Sequence, residues 1–141
     1  MSQRVLVVDD EPFILRSLSF VLERAGYEVL QARDGDEALE VLRDRRPQVC
    51  LLDVMMPRRS GFEVCEIVKG DPELRSTYVV MLTAKGQEAA RERGVQAGCD
   101  EYLTKPVDRA RLIATCAQLI GSAAEAPLPS KAASPDISRA G

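Results

Sequence analysis

Short, almost uninterrupted apolar runs, separated by longer segments with helical spacing, restrict the fold of this chain more than any other feature. The clearest runs lie at residues 5–8 and 49–52. Apolar residues at every position indicate strands that are buried on both faces, as in parallel sheets covered by helices on two sides. Consecutive parallel strands are joined by helical crossovers. The pattern therefore predicts an α/β fold with a parallel sheet.

Five strands and five helices are predicted to alternate along the chain. The predicted strands cover residues 5–8, 28–32, 49–52, 78–82 and 102–104. The first helix is predicted to start at Pro12 behind an Asp10 cap and to end at Gly26, because proline suits the first helical turn and glycine the end. The other four helices are predicted at about 36–45, 61–70, 87–97 and 108–120.

Helical spacing also predicts which side chains face the core. The inward residues of the first helix are predicted to be Ile14, Leu18, Val21 and Leu22. Those of the second are Ala38, Leu39 and Leu42, and those of the fifth are Leu112, Ala117 (or Cys116) and Ile120.

The polar candidates all fall at one edge of the predicted sheet. Right-handed crossovers place helices on both faces, so we expect a doubly wound sheet. The expected type is the flavodoxin-like (βα)5 fold, whose strand order is 2-1-3-4-5. Such sheets bind ligands at the carboxyl ends of the strands, where the strand order reverses. The first and third strands meet there, and they end in Asp9, Asp10 and Asp53. Thr83 and Lys105 lie at the ends of the fourth and fifth strands.

Three carboxylates at one buried rim repel each other unless a divalent cation neutralises them. Mg²⁺ is suited to this role, because it takes a few oxygen ligands and keeps water. A carboxylate can also attack phosphorus and form an aspartyl phosphate, a reaction that depends mainly on positioning and neutralisation of charge. Each residue alone has an ordinary explanation, such as a helix cap or a solvated lysine. Their joint placement favours a site for a phosphoryl group.

Four segments carry a resemblance to a known family. In chain order they are VLVVDDEP, LLDVMMPRRSGFE, VVMLTA and GCDEYLTKPV. With this order and spacing, residues 4–120 resemble a receiver domain of two-component response regulators, of the chemotaxis-regulator type. The resemblance implies that Asp53 accepts a phosphoryl group from a histidine kinase or phosphotransfer protein. It also implies that Mg²⁺ binds directly to Asp10, Asp53 and the backbone carbonyl of Met55, and to Asp9 through water.

The resemblance further implies roles for the remaining site residues. Thr83 would bond a phosphoryl oxygen, Lys105 would pair with the phosphate, and the bond before Pro106 would be cis. Tyr102 would turn inward as Thr83 moves, which would change the surface of the fourth helix, fifth strand and fifth helix. That face would contact a downstream effector or output domain, or a second copy in a phosphorylation-dependent dimer.

Composition excludes several other classes of function. The net charge is −3 and the excess acid lies in residues 1–120, which argues against direct nucleic-acid binding by this domain. No run approaches the roughly 20 apolar residues of a membrane span, and no signal segment is recognised, so a cytoplasmic location is expected. The chain has no histidine and its four cysteines form no CxxC pair, which disfavours zinc and Cys/His catalysis.

Residues 1–120 are therefore expected to form the receiver domain. Residues 121–141 are rich in Ala, Ser and Pro and have no apolar periodicity. We expect a linker or disordered tail there, and the chain could equally be the N-terminal receiver of a longer regulator with an output domain.

Two further alternatives concern chemistry. A phosphatase of the haloacid-dehalogenase kind would have a second aspartate two residues after the nucleophile, whereas this chain has Met55. We therefore expect a signalling domain, not an enzyme with its own substrate. A receiver-like module that is never phosphorylated would lack Asp53, Thr83 or Lys105, and all three are present. Met55 and Lys85 are expected to hinder attacking water and so to slow the loss of the phosphoryl group.

Overall fold

Strands and helices alternate along the chain as the apolar pattern predicts. The computed structural model describes residues 3–84 and 88–124, without the side chains of residues 88 and 122–124. The strands are β1 (Arg4–Val8), β2 (Glu28–Ala32), β3 (Val49–Asp53), β4 (Tyr78–Ala84) and β5 (Glu101–Lys105). The helices are α1 (Pro12–Arg24), α2 (Gly35–Arg45), α3 (Gly61–Gly70), α4 (Glu88–Ala97) and α5 (Arg109–Ala124). The predicted start of the fourth helix, at 87, lies outside the described residues.

The five strands form one parallel sheet in the order β2-β1-β3-β4-β5. In its register Leu6 of β1 lies opposite Leu30 of β2 on one side and Cys50 of β3 on the other. The predicted doubly wound fold and strand order are confirmed. The strand order reverses between β1 and β3, so their carboxyl ends border the crevice in which folds of this type bind ligands.

Side chains alternate between two apolar cores, one on each face of the sheet. From β3, Cys50 and Leu52 join the core beneath α2, α3 and α4, whereas Val49 and Leu51 join the core beneath α1 and α5. All four side chains are fully buried, and burying a side chain such as leucine contributes about 1.5–3 kcal/mol. Burial on both faces explains why β3 contains no charged residue before its last position, Asp53.

The inward faces of two helices differ in detail from those predicted. In α1 the buried apolar residues are Leu15, Leu18 and Leu22, whereas Ile14 and Val21 are only partly buried. In α5 the alternative Cys116 is buried, and Ala117 is exposed. The rotation of each helix about its axis decides which of two adjacent residues is buried against the sheet. The spacing of apolar residues in the sequence does not determine that rotation.

The predicted Asp10 cap of α1 is wrong. Glu11 is the N-cap residue, with φ −91° and ψ 111°, and no side chain caps this helix end. The carboxylate of Asp9 instead accepts a hydrogen bond from the Glu11 backbone N–H, at 2.9 Å. Asp10 is exposed at the same sheet edge, and its side chain is therefore available for another role.

Three strands extend further toward the carboxyl edge than predicted. β3 includes Asp53, β4 reaches Ala84 and β5 reaches Lys105, because the ladder continues with Asp53 opposite Leu82 and with Ala84 opposite Lys105. Asp53 and Lys105 thus lie on regular strands rather than in loops. A regular backbone holds their side chains more rigidly than a loop would.

The fifth helix continues through Gly121 to Ala124. The rest of the predicted tail, residues 125–141, lies outside the described residues. Within the described ranges, no helix is long and apolar enough to cross a membrane.

Burial of cysteines in the two cores predicts which thiols react in the native protein. Cys50, Cys65 and Cys116 are buried, whereas Cys99 is partly exposed. Burial raises the pKa of Cys65 and of Cys116 to about 12, and the thiolate is the reactive form. We expect a thiol reagent near neutral pH to modify Cys99 alone in the native protein. Mass analysis of Cys99→Ser should then show almost no native labelling, and rapid native labelling of this variant would contradict the buried placement of the other thiols.

Candidate functional site

Three carboxylates converge where β1 and β3 end. Asp9 and Asp10 follow β1 directly, and Asp53 is the last residue of β3. One carboxylate oxygen from each of the three lies within 4.8 Å of the others. The structure therefore brings together the acidic residues that the sequence placed at the switch point.

Asp9 is fully buried, at 0% exposure, and both of its oxygens are hydrogen-bonded. Oδ2 accepts a bond from Nζ of Lys105 at 2.8 Å, and Oδ1 accepts the Glu11 N–H at 2.9 Å. A buried carboxylate is costly unless it is paired and hydrogen-bonded, and Asp9 meets both conditions. Its bond to Lys105 links the end of β1 to the end of β5, which has β3 and β4 between it and β1 in the sheet.

Asp53 is almost as buried, at 6% exposure. Its Oδ1 lies 3.3 Å from the Met55 backbone N–H and 3.3 Å from Nζ of Lys105. Burial raises the pKa of the Asp53 carboxyl above its usual range, and the negative charge of Asp9 raises it further, against the opposing effect of Lys105. The site therefore penalises the ionised form of Asp53 as long as no additional positive charge is present.

Among residues 3–84 and 88–124, Lys105 is the cationic side chain that contacts this cluster. Burial tends to lower its pKa, but the hydrogen bond to Asp9 and the charges of Asp53 and Asp9 outweigh burial, so that the pKa is raised. Lys105 consequently stays protonated between the carboxylates of Asp9 and Asp53. Three carboxylates and one lysine leave an excess of two negative charges when all are ionised. This imbalance, together with an all-oxygen donor set, fits a divalent ion such as Mg²⁺.

The connection from β3 to α3 positions Asp53 through close backbone packing. Gly61, the first residue of α3, donates its N–H to the Val54 carbonyl at 3.0 Å. A Cβ at Gly61 would lie 2.4 Å from the Asp53 carbonyl oxygen and 2.8 Å from Cα of Val54. Only glycine fits there, so Gly61 is a site-supporting residue that the sequence reasoning missed.

The sequence contains a helix-capping pattern that predicts the end of this connection. Ser60 and Glu63 form a capping box, in which the Ser60 side chain accepts the Glu63 N–H and the Glu63 side chain accepts the Ser60 N–H. The S-x-x-E pattern marks such a helix start, and it fixes the position of Gly61. Arg58 and Arg59 also tie the connection to the start of α2, with Nε 3.4 Å from Asp34 and 2.7 Å from Asp36 respectively.

The remaining candidate residues lie on β4 and β5 or shortly after β3 and β5. Thr83 lies on β4 at 2% exposure and is paired in the sheet with Thr104. Tyr102 is partly exposed on β5, and the Lys105–Pro106 peptide bond is cis. Met55 is 65% exposed, close in sequence to Asp53. Lys85 lies outside the described residues.

An acidic cluster with a paired lysine lies at the switch point of a 2-1-3-4-5 sheet, as the resemblance to receiver domains implies. The family model of the response regulator receiver domain matches residues 5–117. The chain therefore belongs to the response regulator receiver family.

Individual relatives agree with this assignment. The chain is 41% identical over 114 residues to the phosphate regulon transcriptional regulatory protein PhoB of Klebsiella pneumoniae, and the match covers 81% of this chain and 50% of the relative. This chain thus spans about half the length of that relative. The chemotaxis response regulator CheY4 of Vibrio cholerae is 34% identical with a TM-score of 0.78, over 84% of this chain and 99% of that chain.

A third relative was solved with a metal ion. The receiver domain of the sensor histidine kinase PA1611 from Pseudomonas aeruginosa is 30% identical with a TM-score of 0.80, over 86% of this chain and 100% of that chain. That structure has a magnesium ion coordinated in the active site cleft.

Proposed function

We propose that this domain accepts a phosphoryl group on Asp53, with Mg²⁺, and thereby switches the binding of a partner. The observation that carries the proposal is the contact of Asp53 with Lys105 at 3.3 Å, beside the Asp9 and Asp10 carboxylates. This arrangement supplies a nucleophile, a fixed cation and acidic oxygens for a metal ion in one crevice. Membership of the receiver family supports the same conclusion.

Asp53 is the best placed of the three carboxylates to act as the nucleophile. Both oxygens of Asp9 are engaged in hydrogen bonds, and Asp10 is exposed at the rim. Within the described residues, the two contacts of the Asp53 carboxylate both go to Oδ1, so Oδ2 is proposed to attack phosphorus. In the transfer the P–N bond of a phosphohistidine breaks, a P–O bond to Asp53 forms, and the imidazole leaves with the bonding electron pair.

Asp10, Asp53 and the backbone carbonyl of Met55 are proposed to hold Mg²⁺ directly, with Asp9 acting through water. When bound, the ion would neutralise charge on the carboxylates and on the phosphoryl oxygens. Lys105 would pair with a phosphoryl oxygen from the opposite side. The Thr83 hydroxyl would donate to another oxygen, which is consistent with its buried position on the neighbouring strand.

The surroundings of the site suggest where a phosphodonor protein binds. Phe13 is 71% exposed at the start of α1, and Met55 is 65% exposed after β3. Both lie at the carboxyl edge of the sheet, and burial of such apolar side chains favours association. We propose that a histidine kinase or phosphotransfer protein covers them. Such transfer takes place in the cytoplasm, and free cysteines suit that reducing compartment.

The output is proposed to pass through Thr83 and Tyr102 to the face formed by α4, β5 and α5. A cleft of about 280 Å³ lies on this face, lined by residues that include Arg91, Tyr102 and Arg111. A downstream effector, an output domain or a second copy of the chain would bind there. A role as the receiver of a longer regulator is supported by the relative PhoB, of which this chain matches 50%.

The proposal is tested by incubating the protein with acetyl phosphate and Mg²⁺, followed by measurement of the intact mass. A mass gain of one phosphoryl group is expected, and it should disappear when EDTA replaces Mg²⁺. No gain under conditions that phosphorylate a known receiver domain would exclude phosphorylation and leave a constitutive binding module. Sustained turnover of a generic phosphatase substrate would favour the enzyme alternative.

Met55 is predicted to prolong the lifetime of the aspartyl phosphate. Its exposed side chain lies two residues after Asp53, where it can restrict the approach of water. We expect Met55→Ala to lose the phosphoryl group several-fold faster than the wild type in a mass time course. An exposed apolar residue on another element provides a control, and Val95→Ala on α4 should lose the phosphoryl group at the wild-type rate. A wild-type half-life of only seconds, or equal decay in Met55→Ala, would contradict this role.

A further inference from the structure

Helix α4 is attached to the domain with little apolar burial. Among its residues 89–97, those that are buried are Gly94 and Ala97, which are both small. Val95 is 62% exposed, and Gly94 weakens a helix relative to alanine. The position of α4 therefore depends strongly on its remaining contacts with neighbouring elements.

Two arginines of α4 provide contacts of the same kind to different elements. Cζ of Arg91 lies 4.5 Å from the centroid of the Tyr102 ring on β5. Cζ of Arg93 lies 4.4 Å from the centroid of the Phe62 ring on α3. A guanidinium over an aromatic face is attracted by the quadrupole of the ring. We call these two guanidinium–ring contacts the Arg91 stack and the Arg93 stack. Both arginines are exposed, so the two stacks have similar solvent exposure.

Of the two rings, only Tyr102 belongs to the residues that are proposed to switch. It packs partly against the core beneath α2, α3 and α4, and it lines the cleft on the α4-β5-α5 face. In the sheet it lies opposite Met81, two residues before Thr83. The Arg91 stack therefore links α4 to the strand pair that carries both Thr83 and Tyr102.

In this structure the contact between Arg91 and Tyr102 is present together with an unmodified Asp53 that contacts Lys105. Lys105 contacts Asp53 Oδ1 directly, as a free carboxylate allows, and a phosphoryl group on Asp53 would draw Lys105 to its own oxygens. If Tyr102 then turns toward Thr83, its ring leaves the Arg91 guanidinium and the stack is lost. A contact made in one of two states shifts the equilibrium toward that state.

We infer that Arg91 is a positioning residue that holds Tyr102 in the arrangement belonging to free Asp53 and so opposes activation. The inference rests on the function proposed above. Because coupling between sites is reciprocal, removal of the stack must strengthen binding of a phosphoryl mimic at Asp53. The strength of an exposed cation–π contact corresponds to a change of about two- to fivefold in affinity.

The experiment compares Arg91→Met with Arg93→Met in the full chain. Each substitution removes one positive charge and one stack from α4, but only the first affects Tyr102. The protein contains three tyrosines, so fluorotyrosine labelling gives a simple ¹⁹F spectrum in which Tyr102→Phe assigns the relevant signal. Beryllofluoride with Mg²⁺, a phosphoryl mimic, is titrated into each protein.

We expect the Tyr102 signal of Arg91→Met to titrate about two- to fivefold more tightly than that of the wild type. Arg93→Met should titrate like the wild type, and Arg91→Lys, which keeps the charge, should lie between wild type and Arg91→Met. Urea unfolding of both methionine variants tests that they are equally folded. Unchanged or weaker binding by Arg91→Met overturns the inference, as does an equal gain in Arg93→Met, while the proposed function stands. A wild type that neither binds the mimic nor gains phosphoryl mass overturns both.

Discussion

Asp53→Asn is expected to abolish phosphoryl incorporation and, in EDTA, to raise the free energy of unfolding. The amide cannot attack phosphorus as a carboxylate does, so the mass gain should vanish entirely. The stability gain follows from the raised pKa of Asp53, which burial and the charge of Asp9 produce. Ionised Asp53 therefore costs folding free energy, and the neutral amide removes that cost while Lys105 keeps its 2.8 Å contact with Asp9.

The same pKa shift predicts a dependence on pH. Between the ordinary and the raised pKa of Asp53, the native state binds more protons than the unfolded state. The contribution of Asp53 to stability therefore falls as pH rises through this interval and is constant above it. The stability advantage of Asp53→Asn should grow with pH over the same interval. Urea unfolding in EDTA at a series of pH values measures it.

Asp44→Asn is the matched control, because Asp44 is an exposed carboxylate on α2. It should gain phosphoryl mass like the wild type and change stability little. Two results would contradict the description of the site, namely residual phosphorylation of Asp53→Asn and a lower stability of this variant at neutral pH in EDTA.

Gly61→Ala is expected to destabilise the domain by about 3 kcal/mol, which is near the upper end for overpacking of a buried position. The added Cβ would lie 2.4 Å from the Asp53 carbonyl oxygen and 2.8 Å from Cα of Val54. Both neighbours are backbone atoms, so no side chain can rotate away to relieve the clash. The end of β3 must move, and phosphorylation of Asp53 should slow as well.

Gly70→Ala provides a control at the other end of the same helix. Among the described residues a Cβ there meets nothing within 4 Å. Alanine favours a helix interior over glycine by about 0.5–1 kcal/mol, and at the last helical residue we expect a smaller gain of the same sign. Urea unfolding should thus show opposite effects for the same substitution at the two ends of α3. Similar stabilities of the two variants would contradict the close packing of Gly61 beneath Asp53.

Local sequence pattern was sufficient for the succession of strands and helices and for a parallel sheet. Continuous apolar strands, helical spacing and turn residues reflect interactions within a few positions of the chain. They predicted a parallel sheet, whereas the order 2-1-3-4-5, which the structure has, came from the known fold type. Because parallel strands end at one edge, the same pattern also placed Asp9, Asp10 and Asp53 together, as the structure does.

Contacts between distant residues required the tertiary structure. Lys105 binds Asp9 across 96 positions of the chain, and nothing local indicates that Asp9, rather than Asp53, takes the shorter contact. The choice of Cys116 over Ala117, and of Glu11 over Asp10 as N-cap, likewise depends on how each helix meets the sheet.

The sequence by itself thus determined the class of fold, the edge of the sheet that carries the acidic residues and the family resemblance. Three features were decided only by the tertiary structure. Lys105 contacts Oδ1 of Asp53, close backbone packing requires glycine at position 61, and Arg91 lies over the Tyr102 ring. Periodicity is a property of neighbours along the chain, whereas these three features depend on packing distances between elements. Such distances are set only when the whole core assembles.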